Sequence, residues 1–229
     1  MKNAVLLAET RIETLLLENA SLFRMFFAAP VSGKTVDGDS LEELVEGFVN
    51  NDQDKTERLV RHYYKNIFFN CIRIVRDDVA AEDLTHETFI KALKYRASFD
   101  KTQKFIFWLL KISTNVCLDY FNYHKRENMN VVRIEALNAT AGNFRDLNEL
   151  LVDANAQINL DKKIEQEIVS NAVMLLPVMY RVPVLLRYYN DLSYEEIAAI
   201  MQKPVGTIKF RVNRAKMILA KALGIDDMI

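Results

Sequence analysis

The chain of 229 residues has little of what a disulfide-rich, metal-binding or membrane-spanning protein needs. Its two cysteines, Cys71 and Cys117, lack CxxC spacing and its three histidines are scattered, so the sequence predicts a reduced protein without a metal site or a cofactor. Charges from Glu9 onward interrupt the apolar N-terminus, which argues against a signal peptide and against a membrane span of roughly 20 apolar residues. We therefore expect a cytoplasmic protein with no membrane insertion.

Glycine and proline are also scarce, at six and four residues, and few segments alternate in the manner of β-strands. Apolar residues recur instead at helical spacing. No nucleophile–base pair, phosphate-binding glycine loop or cluster of metal ligands is visible, so the sequence does not favour an enzyme. The prediction is an all-α chain without catalytic activity.

Charge is distributed in blocks, although the formal net charge is only −1. The net charge is −5 over residues 1–60, +5 over residues 61–126, −4 over residues 127–170 and +3 over residues 171–229. Two basic blocks separated by an acidic one predict two helical domains joined by a linker at residues 127–170. The same pattern favours local contact with nucleic acid over indiscriminate binding.

Two helical patterns meet at a proline-bearing turn near the C-terminus. Ser193 and Glu196 form a capping box for the first helix, and Pro204 suits the first position of the second helix. Both helices carry one apolar stripe, which consists of Tyr194, Ile197, Ala198 and Met201 in the first and of Ile208, Val212, Ala215 and Leu219 in the second.

The second of these helices carries cations without acids. From Ile197 to Ile225 there are six cationic side chains and no carboxylate. A solvated basic helix is the usual explanation of a charge run, but the capped first helix and the proline turn favour a helix-turn-helix that binds duplex DNA. The candidate contacts are Lys203, Val205, Thr207, Lys209, Phe210, Arg211, Arg214 and Lys216.

A helix predicted over residues 80–95 has an apolar residue at the centre of its polar face. Ile90 is expected to be exposed, whereas one face made of Ala81, Leu84, Thr88, Ala92 and Leu93 is expected to be buried. A single surface isoleucine is common, and the alternative is a docking face with an apolar centre and a polar rim. On the residues alone the first interpretation is favoured. The candidate docking residues are Asp83, His86, Glu87, Ile90 and Lys94.

An aromatic and basic loop, residues 96–104, precedes a helix predicted over residues 105–123. Proteins hold single-stranded nucleic acid with cations along its backbone and aromatic rings against its bases. For Phe99 and Tyr123, stacking on bases and packing in the core both remain open. The candidates are Arg96, Phe99, Lys101, Lys104, Lys111, Asn115, Tyr123, Lys125 and Arg126.

Two ordered sets of motifs carry a family resemblance. The first set is the segment 81–89, then Phe107-Trp108-Leu109 with Ile112, Asn115 and Asp119; the second is Leu176-Pro177, the segment 192–198 and the segment 206–209 with Arg211, Arg214 and Ala215. Over about residues 40–126 and 172–223 the chain resembles bacterial sigma factors of the extracytoplasmic-function group. It departs from that pattern at four places. His86 stands where glutamine is usual, and Thr114 and residues 122–124 stand where arginines are common. Phe210 stands where the family usually has a small polar residue.

The resemblance implies a promoter-recognition subunit that binds core RNA polymerase and promoter DNA. Residues 40–126 would hold core polymerase through the helix that bears Ile90, and would take the melted minus-ten strand on the side of the 96–104 loop. Residues 171–229 would read the minus-thirty-five element as duplex. An anti-sigma factor is a further partner that the resemblance allows. The alternative, a helix-turn-helix regulator that does not replace a sigma subunit, leaves residues 80–126 unexplained.

Residues 1–39 lie outside the resemblance. Their apolar residues predict an amphipathic helix with more apolar surface than a free tail should expose, through Val5, Ile12, Leu16, Phe23 and Phe26. We expect this N-terminal extension to pack on the first domain. A brake on polymerase binding and a contact with a separate regulator are the alternatives.

Overall fold

The computed structural model describes residues 10–20, 35–36, 39–128 and 158–225. Regular structure in these residues is helical, apart from one two-residue antiparallel ladder between β1 (Thr35–Val36) and β2 (Asp39–Ser40). In that ladder Thr35 lies opposite Ser40 and Val36 lies opposite Asp39. The predicted all-α fold is confirmed.

The described residues form nine α-helices in two compact units. Their bounds are α1 (10–20), α2 (Leu41–Val49), α3 (Gln53–Val75), α4 (Asp78–Tyr95), α5 (Phe105–Asn128), α6 (Ile158–Leu175), α7 (Val178–Val184), α8 (Tyr194–Met201) and α9 (Val205–Ala222). A 3-10 turn (Arg96–Ser98) follows α4, and a π-helical turn (Leu185–Tyr189) follows α7. The first unit contains α2 to α4 and most of α5, and the second contains α1, α6, α7, α9 and most of α8.

Polar side chains determine where the helices of the first unit begin. Ser40 forms a capping box with Glu43 at α2, and Asp52 and Asp77 accept hydrogen bonds from backbone N–H groups in the first turns of α3 and α4. Between α3 and α4, Arg76 adopts the left-handed conformation with φ 65°. These short connections bring α2, α3 and α4 back against one another.

The core of the first unit contains a cluster of aromatic rings. Phe105 lies 5.2 Å from Phe48 and 5.5 Å from Tyr63 between ring centroids, and burial raises the pKa of Tyr63 to about 12. Phe99 packs edge-on against Phe105 and Trp108, at 5.3 and 5.4 Å. Phe99 is therefore a core residue as placed, which resolves one of the two aromatics that the sequence left open.

The buried face of α4 differs from the prediction at one residue. Ala81, Leu84 and Ala92 are buried as expected, but Leu93 is 36% exposed. Phe89 is buried in its place and stacks on Tyr64 with 6.3 Å between the ring centroids. The larger aromatic side chain sets the orientation of α4, because its burial removes more apolar surface from water.

The segment predicted to be a linker, residues 127–170, contains the start of a helix of the second unit. Helix α6 begins at Ile158 and buries Val169 and Val173. Pro177 precedes α7, and Pro183 lies inside it, just before the helix changes to the π-helical turn. This change fits a proline that removes one helical hydrogen bond. The polar part of the linker at residues 138–143 lies outside the described residues.

The N-terminal helix α1 belongs to the second unit, so the expectation that it packs on the first domain is wrong. Ile12, Leu16 and Ala20 are buried along one side of α1. Asn19 donates from Nδ2 to the carbonyl of Gln166 at 2.6 Å, and the Tyr189 hydroxyl donates to Asn19 Oδ1 at 2.5 Å. The sequence predicted the apolar stripe but not its partner, because these contacts join residues more than a hundred positions apart. The predicted apolar residues Val5, Phe23 and Phe26 lie outside the described residues.

The described helices are all too short or too polar to cross a membrane. Cys71 and Cys117 are buried and free, and the first of them lies 3.4 Å from the hydroxyl of Ser113. Within residues 10–20, 35–36, 39–128 and 158–225, no three His, Cys, Asp or Glu side chains are grouped to hold a metal ion.

Candidate functional site

One side of α4 presents all five predicted docking residues to solvent. Ile90 is 65% exposed, and Asp83, His86, Glu87 and Lys94 are exposed around it. Two of them interact with neighbouring side chains: Glu87 forms an ion pair with Lys91 at 2.8 Å, and His86 Nε2 lies 3.5 Å from the Tyr64 hydroxyl. These five residues, together with Val79 and Leu93 on the same helix, are called the α4 stripe.

The α4 stripe also includes two apolar residues that sequence reasoning missed. Val79 is 74% exposed in the first turn, and Leu93 is exposed on the same side as Ile90. Sequence reasoning missed Leu93 because it assigned this residue to the buried face of the helix. Placing Phe89 in that face, as the structure does, would have moved Leu93 to its edge. Three exposed apolar side chains with charged neighbours have the composition of a docking surface, with an apolar centre and a polar rim.

An open pocket of about 600 Å³ lies under the 96–104 loop in the first unit. Phe99 and Phe105 contribute to its wall, and Lys101 and Lys104 line it while remaining exposed. Lys101 Nζ is 3.3 Å from Glu46 Oε1, so an ion pair connects the loop to α2. The pocket therefore combines an aromatic wall with cations, although neither lysine was predicted to line a cavity.

The remaining predicted minus-ten residues lie on or before α5. Lys111 and Tyr123 are exposed, the latter at 62%, whereas Asn115 and Arg96 are half-buried. Of the two interpretations left open for Tyr123, exposure argues against packing in the core and leaves the ring available at the surface. Thr114, one of the departures from the family pattern, is fully buried. Lys125 and Arg126 belong to α5 but lie outside the residues whose side chains are described.

Helices α8 and α9 form the predicted helix-turn-helix. The capping box is present, with Ser193 N donating to Glu196 Oε2 at 2.7 Å and Glu196 N donating to Ser193 Oγ at 3.2 Å. Gln202 makes the turn in the left-handed conformation with φ 51°. Pro204 is the N-cap of α9 and not its first helical residue, because its ψ of 143° is extended, and its carbonyl accepts hydrogen bonds from the N–H groups of Thr207 and Ile208.

Seven of the eight predicted contacts are accessible to solvent, six of them on α9 and one, Lys203, in the turn before it. Lys203, Lys209, Phe210 and Arg214 are exposed, and Val205, Thr207 and Arg211 are half-buried. Phe210 is 65% exposed, so its ring is not part of the protein core. The buried stripe of Ile208, Val212, Ala215 and Leu219 turns the opposite face of α9 outward.

The Tyr194 ring supports the edge of this face. Lys209 Nζ lies 5.7 Å and the Arg187 guanidinium 5.2 Å from the centre of the ring. Burial raises the pKa of Tyr194, so the ring stays a neutral phenol that attracts both cations without adding a negative charge.

Lys216, the eighth predicted contact, is covered by another part of the second unit. Its side chain is 9% exposed, and Nζ lies 3.7 Å from Glu13 Oε2 on α1. The Tyr188 hydroxyl donates to the other carboxylate oxygen of Glu13 at 3.4 Å, and burial followed by the charge of Glu13 raises the pKa of Tyr188. Helix α1, some 200 residues earlier in the chain, covers Lys216, and the sequence pattern of α9 alone did not indicate this ion pair.

Gly206 is a further residue of this face that sequence reasoning did not select as a contact. It is exposed in the first turn of α9, and a Cβ atom built there would meet nothing within 4 Å. Packing inside the protein therefore does not require glycine here. A flat backbone at this position leaves room for a close approach from outside.

Comparison with known proteins identifies the family. The family profile described as Sigma-70 region 2 matches residues 59–127, and the one described as Sigma-70, region 4 matches residues 166–219. The chain is 32% identical to the ECF RNA polymerase sigma factor SigW of Bacillus subtilis over 186 residues, which cover 80% of this chain and 96% of SigW. It is 30% identical to the RNA polymerase sigma-H factor of Pseudomonas aeruginosa, over 80% of this chain and 93% of that protein.

A solved structure shows the same fold. The sigma factor RpoE from Bartonella quintana, in complex with the anti-sigma factor NepR, superposes with a TM-score of 0.51 at 22% identity, covering 74% of this chain and 97% of that one. The chain therefore belongs to the extracytoplasmic-function (ECF) group of the sigma-70 family of RNA polymerase sigma factors. As a sigma factor it directs promoter-specific transcription initiation.

Gly206→Ala is expected to separate stability from DNA binding. Alanine has the higher helix propensity and meets no neighbour, so the free energy of unfolding should stay constant or rise by at most about 1 kcal/mol. If duplex DNA approaches α9 closely at this position, its affinity should fall, because the new methyl group would occupy space next to the helix. Thermal unfolding and fluorescence anisotropy measure the two effects, and a variant that binds as tightly as the wild type would contradict the close approach.

Proposed function

We propose that this sigma factor binds core polymerase and promoter DNA through three separate surfaces. The α4 stripe binds core RNA polymerase, the loop and α5 side of the first unit takes the melted minus-ten strand, and the outward face of α9 reads the minus-thirty-five duplex. The observation that carries the proposal is that region 2 and region 4 matches occur in this order on the two units that bear these surfaces.

Polymerase binding by the α4 stripe is supported by its composition. Three apolar side chains, Val79, Ile90 and Leu93, remain exposed on a helix whose opposite face is well packed. Leaving such residues in water gains nothing for the fold, whereas covering them in a complex would bury apolar surface at about 25 cal/mol per Å². The flanking acids and lysine would then provide the polar rim that sets specificity.

Single-strand binding is supported by the pocket and the cations around it. An unpaired base has two apolar faces and a charged backbone, and the pocket offers an aromatic wall beside Lys101 and Lys104. Lys111, exposed on α5, and Arg96, half-buried before the loop, are further cations of the first unit that could contact the strand backbone, and Tyr123 is an exposed ring farther along α5. Phe99 forms part of the wall and holds the loop, instead of stacking freely on a base.

Duplex reading is supported by the charge and shape of α9. Lys203, Lys209 and Arg214 are exposed cations that can contact phosphates, and Arg211 and Thr207 are placed beside the exposed Phe210. In the major groove the apolar group available to an aromatic side chain is the methyl of thymine. We infer that Phe210 contacts a thymine of the minus-thirty-five element.

We also propose partners and a location that follow from this function. Binding to core polymerase and promoter DNA implies the cytoplasm as the site of action. An anti-sigma factor is a fitting further partner, since the solved neighbour was obtained with one. A helix-turn-helix regulator that does not replace a sigma subunit would not need a region 2, so the region 2 match argues against that alternative function.

Run-off transcription tests the function directly. Core bacterial RNA polymerase would be incubated with a pool of genomic promoters, with and without the purified chain, and the transcript starts would be sequenced. Specific starts that share two spaced upstream elements are expected only with the chain. Absence of initiation, both with the full chain and after removal of residues 1–39, would contradict the proposal.

Ile90→Glu should weaken binding to core polymerase by at least about tenfold, since it places a charge in the apolar centre of the docking surface. Because Ile90 is exposed, helicity and the unfolding temperature should remain those of the wild type. Ile90→Val, which keeps the apolar contact, serves as the matched control. A pull-down titration and circular dichroism provide the measurements, and unchanged binding of Ile90→Glu would remove Ile90 from the interface.

Replacing thymine by uracil in the minus-thirty-five duplex, one position at a time, tests the role of Phe210. Loss of one buried methyl group costs about 0.8 kcal/mol, or roughly fourfold in Kd. Wild-type protein should show this loss at one thymine, whereas Phe210→Ala should bind the thymine and uracil duplexes equally. If no position distinguishes the two duplexes for the wild type, Phe210 does not read a methyl group.

A further inference from the structure

Helix α1 contacts three other elements of the second unit. Asn19 bonds to the carbonyl of Gln166 on α6 and to the hydroxyl of Tyr189 in the π-helical turn. Glu13 contacts Tyr188 in the same turn and Lys216 on α9. The helix therefore spans α6, the π-helical turn and α9, and touches the helix proposed to read DNA.

The contact has the pattern of a specific interface. The buried residues Ile12, Leu16 and Ala20 recur every fourth position and form one stripe, with Asn19 beside them at 7% exposure. A buried amide destabilises a complex unless it is hydrogen-bonded, and Asn19 uses both its donor and its acceptor. A helix without an amide at this position would lose both of these hydrogen bonds.

Lys216 lies on the same side of α9 as Lys209. The two residues are seven positions apart, which is two turns and a difference of only about 20° around the helix axis. Lys209 is exposed, whereas Lys216 is covered and paired with Glu13. Helix α1 therefore occupies the continuation of the basic side on which Lys209 stands.

We propose that this face of the second unit is a helix-binding surface, that α1 is its resident occupant, and that α1 acts as a brake on duplex binding by holding Lys216 in an ion pair with Glu13. The proposal rests on the proposed role of α9 in reading duplex DNA. A lysine that neutralises a carboxylate of its own chain cannot also neutralise a phosphate, so the paired state has one DNA contact fewer.

The salt dependence of duplex binding counts such contacts. Each phosphate neutralised by a cation contributes about 0.9 to the slope of log K against log salt concentration. The probe is a short fluorescein-labelled duplex titrated with the full chain at several salt concentrations. Glu13→Gln is expected to release Lys216, tighten binding at low salt and steepen the slope by about 0.9. The double variant Glu13→Gln with Lys216→Gln should return to the wild-type slope.

Two single variants serve as controls. Glu18→Gln removes the same charge from an exposed position on α1, about 140° around the helix from Glu13, and should leave the slope unchanged. Lys209→Gln should lower the slope by about 0.9 and so reports whether this side of α9 meets DNA at all. Thermal unfolding of each variant shows that the fold is retained.

The outcomes separate the brake from the function on which it rests. If Lys209→Gln lowers the slope while Glu13→Gln leaves it unchanged, the brake is overturned and the role of α9 stands. Equal tightening by Glu13→Gln and Glu18→Gln would overturn the masking of Lys216 in favour of general charge repulsion. A lower slope for Lys216→Gln alone would show that Lys216 already contacts DNA, which also overturns the brake. If no variant changes the slope, the proposed role of α9 fails with it.

Discussion

The burial of one apolar stripe on α9 determines the form of the proposed DNA surface. Ile208, Val212, Ala215 and Leu219 are almost fully buried, and their spacing fixes the rotation of the helix about its own axis. Once that rotation is set, Phe210 and Arg214 must point away from the core. Both side chains are therefore presented to solvent because of an apolar contact on the opposite side of the helix.

The same constraint acts on α4. Ala81, Thr85, Thr88 and Ala92 lie along the centre of its buried face, with Phe89 beside them. Leu93 lies about 40° farther round the helix than Phe89 and falls at the edge of that face. In this orientation Ile90 points outward, with Val79 and Leu93 beside it. The packing of the Phe89 ring inside the first unit therefore determines which residues form the proposed polymerase surface.

Local sequence predicted what depends on local physics. The capping box at Ser193, a second helix at the proline turn and the exposure of Ile90 all follow from residues within a few turns of each other, and the structure has each of them, with Pro204 one position earlier than predicted, as the N-cap. Phe99 and Lys216 could not be placed in this way. The burial of Phe99 depends on Phe105 and Trp108 packing around it, and the burial of Lys216 depends on a helix from the other end of the chain. A charge pattern shows that a lysine is available but not which acid pairs with it.

The energetic scale of the α1 contact explains how it can be both persistent and adjustable. Complete burial of Ile12 and Leu16 contributes roughly 1.5–3 kcal/mol for each side chain, before the entropy of ordering the helix is subtracted. The ion pair between Glu13 and Lys216 is partly screened, because Glu13 is 46% exposed, and exposed pairs contribute at most about 1 kcal/mol. The apolar stripe therefore holds α1 in position, while the ion pair sets the charge next to α9. A change in salt or in the side chain at position 13 can alter the second without releasing the first.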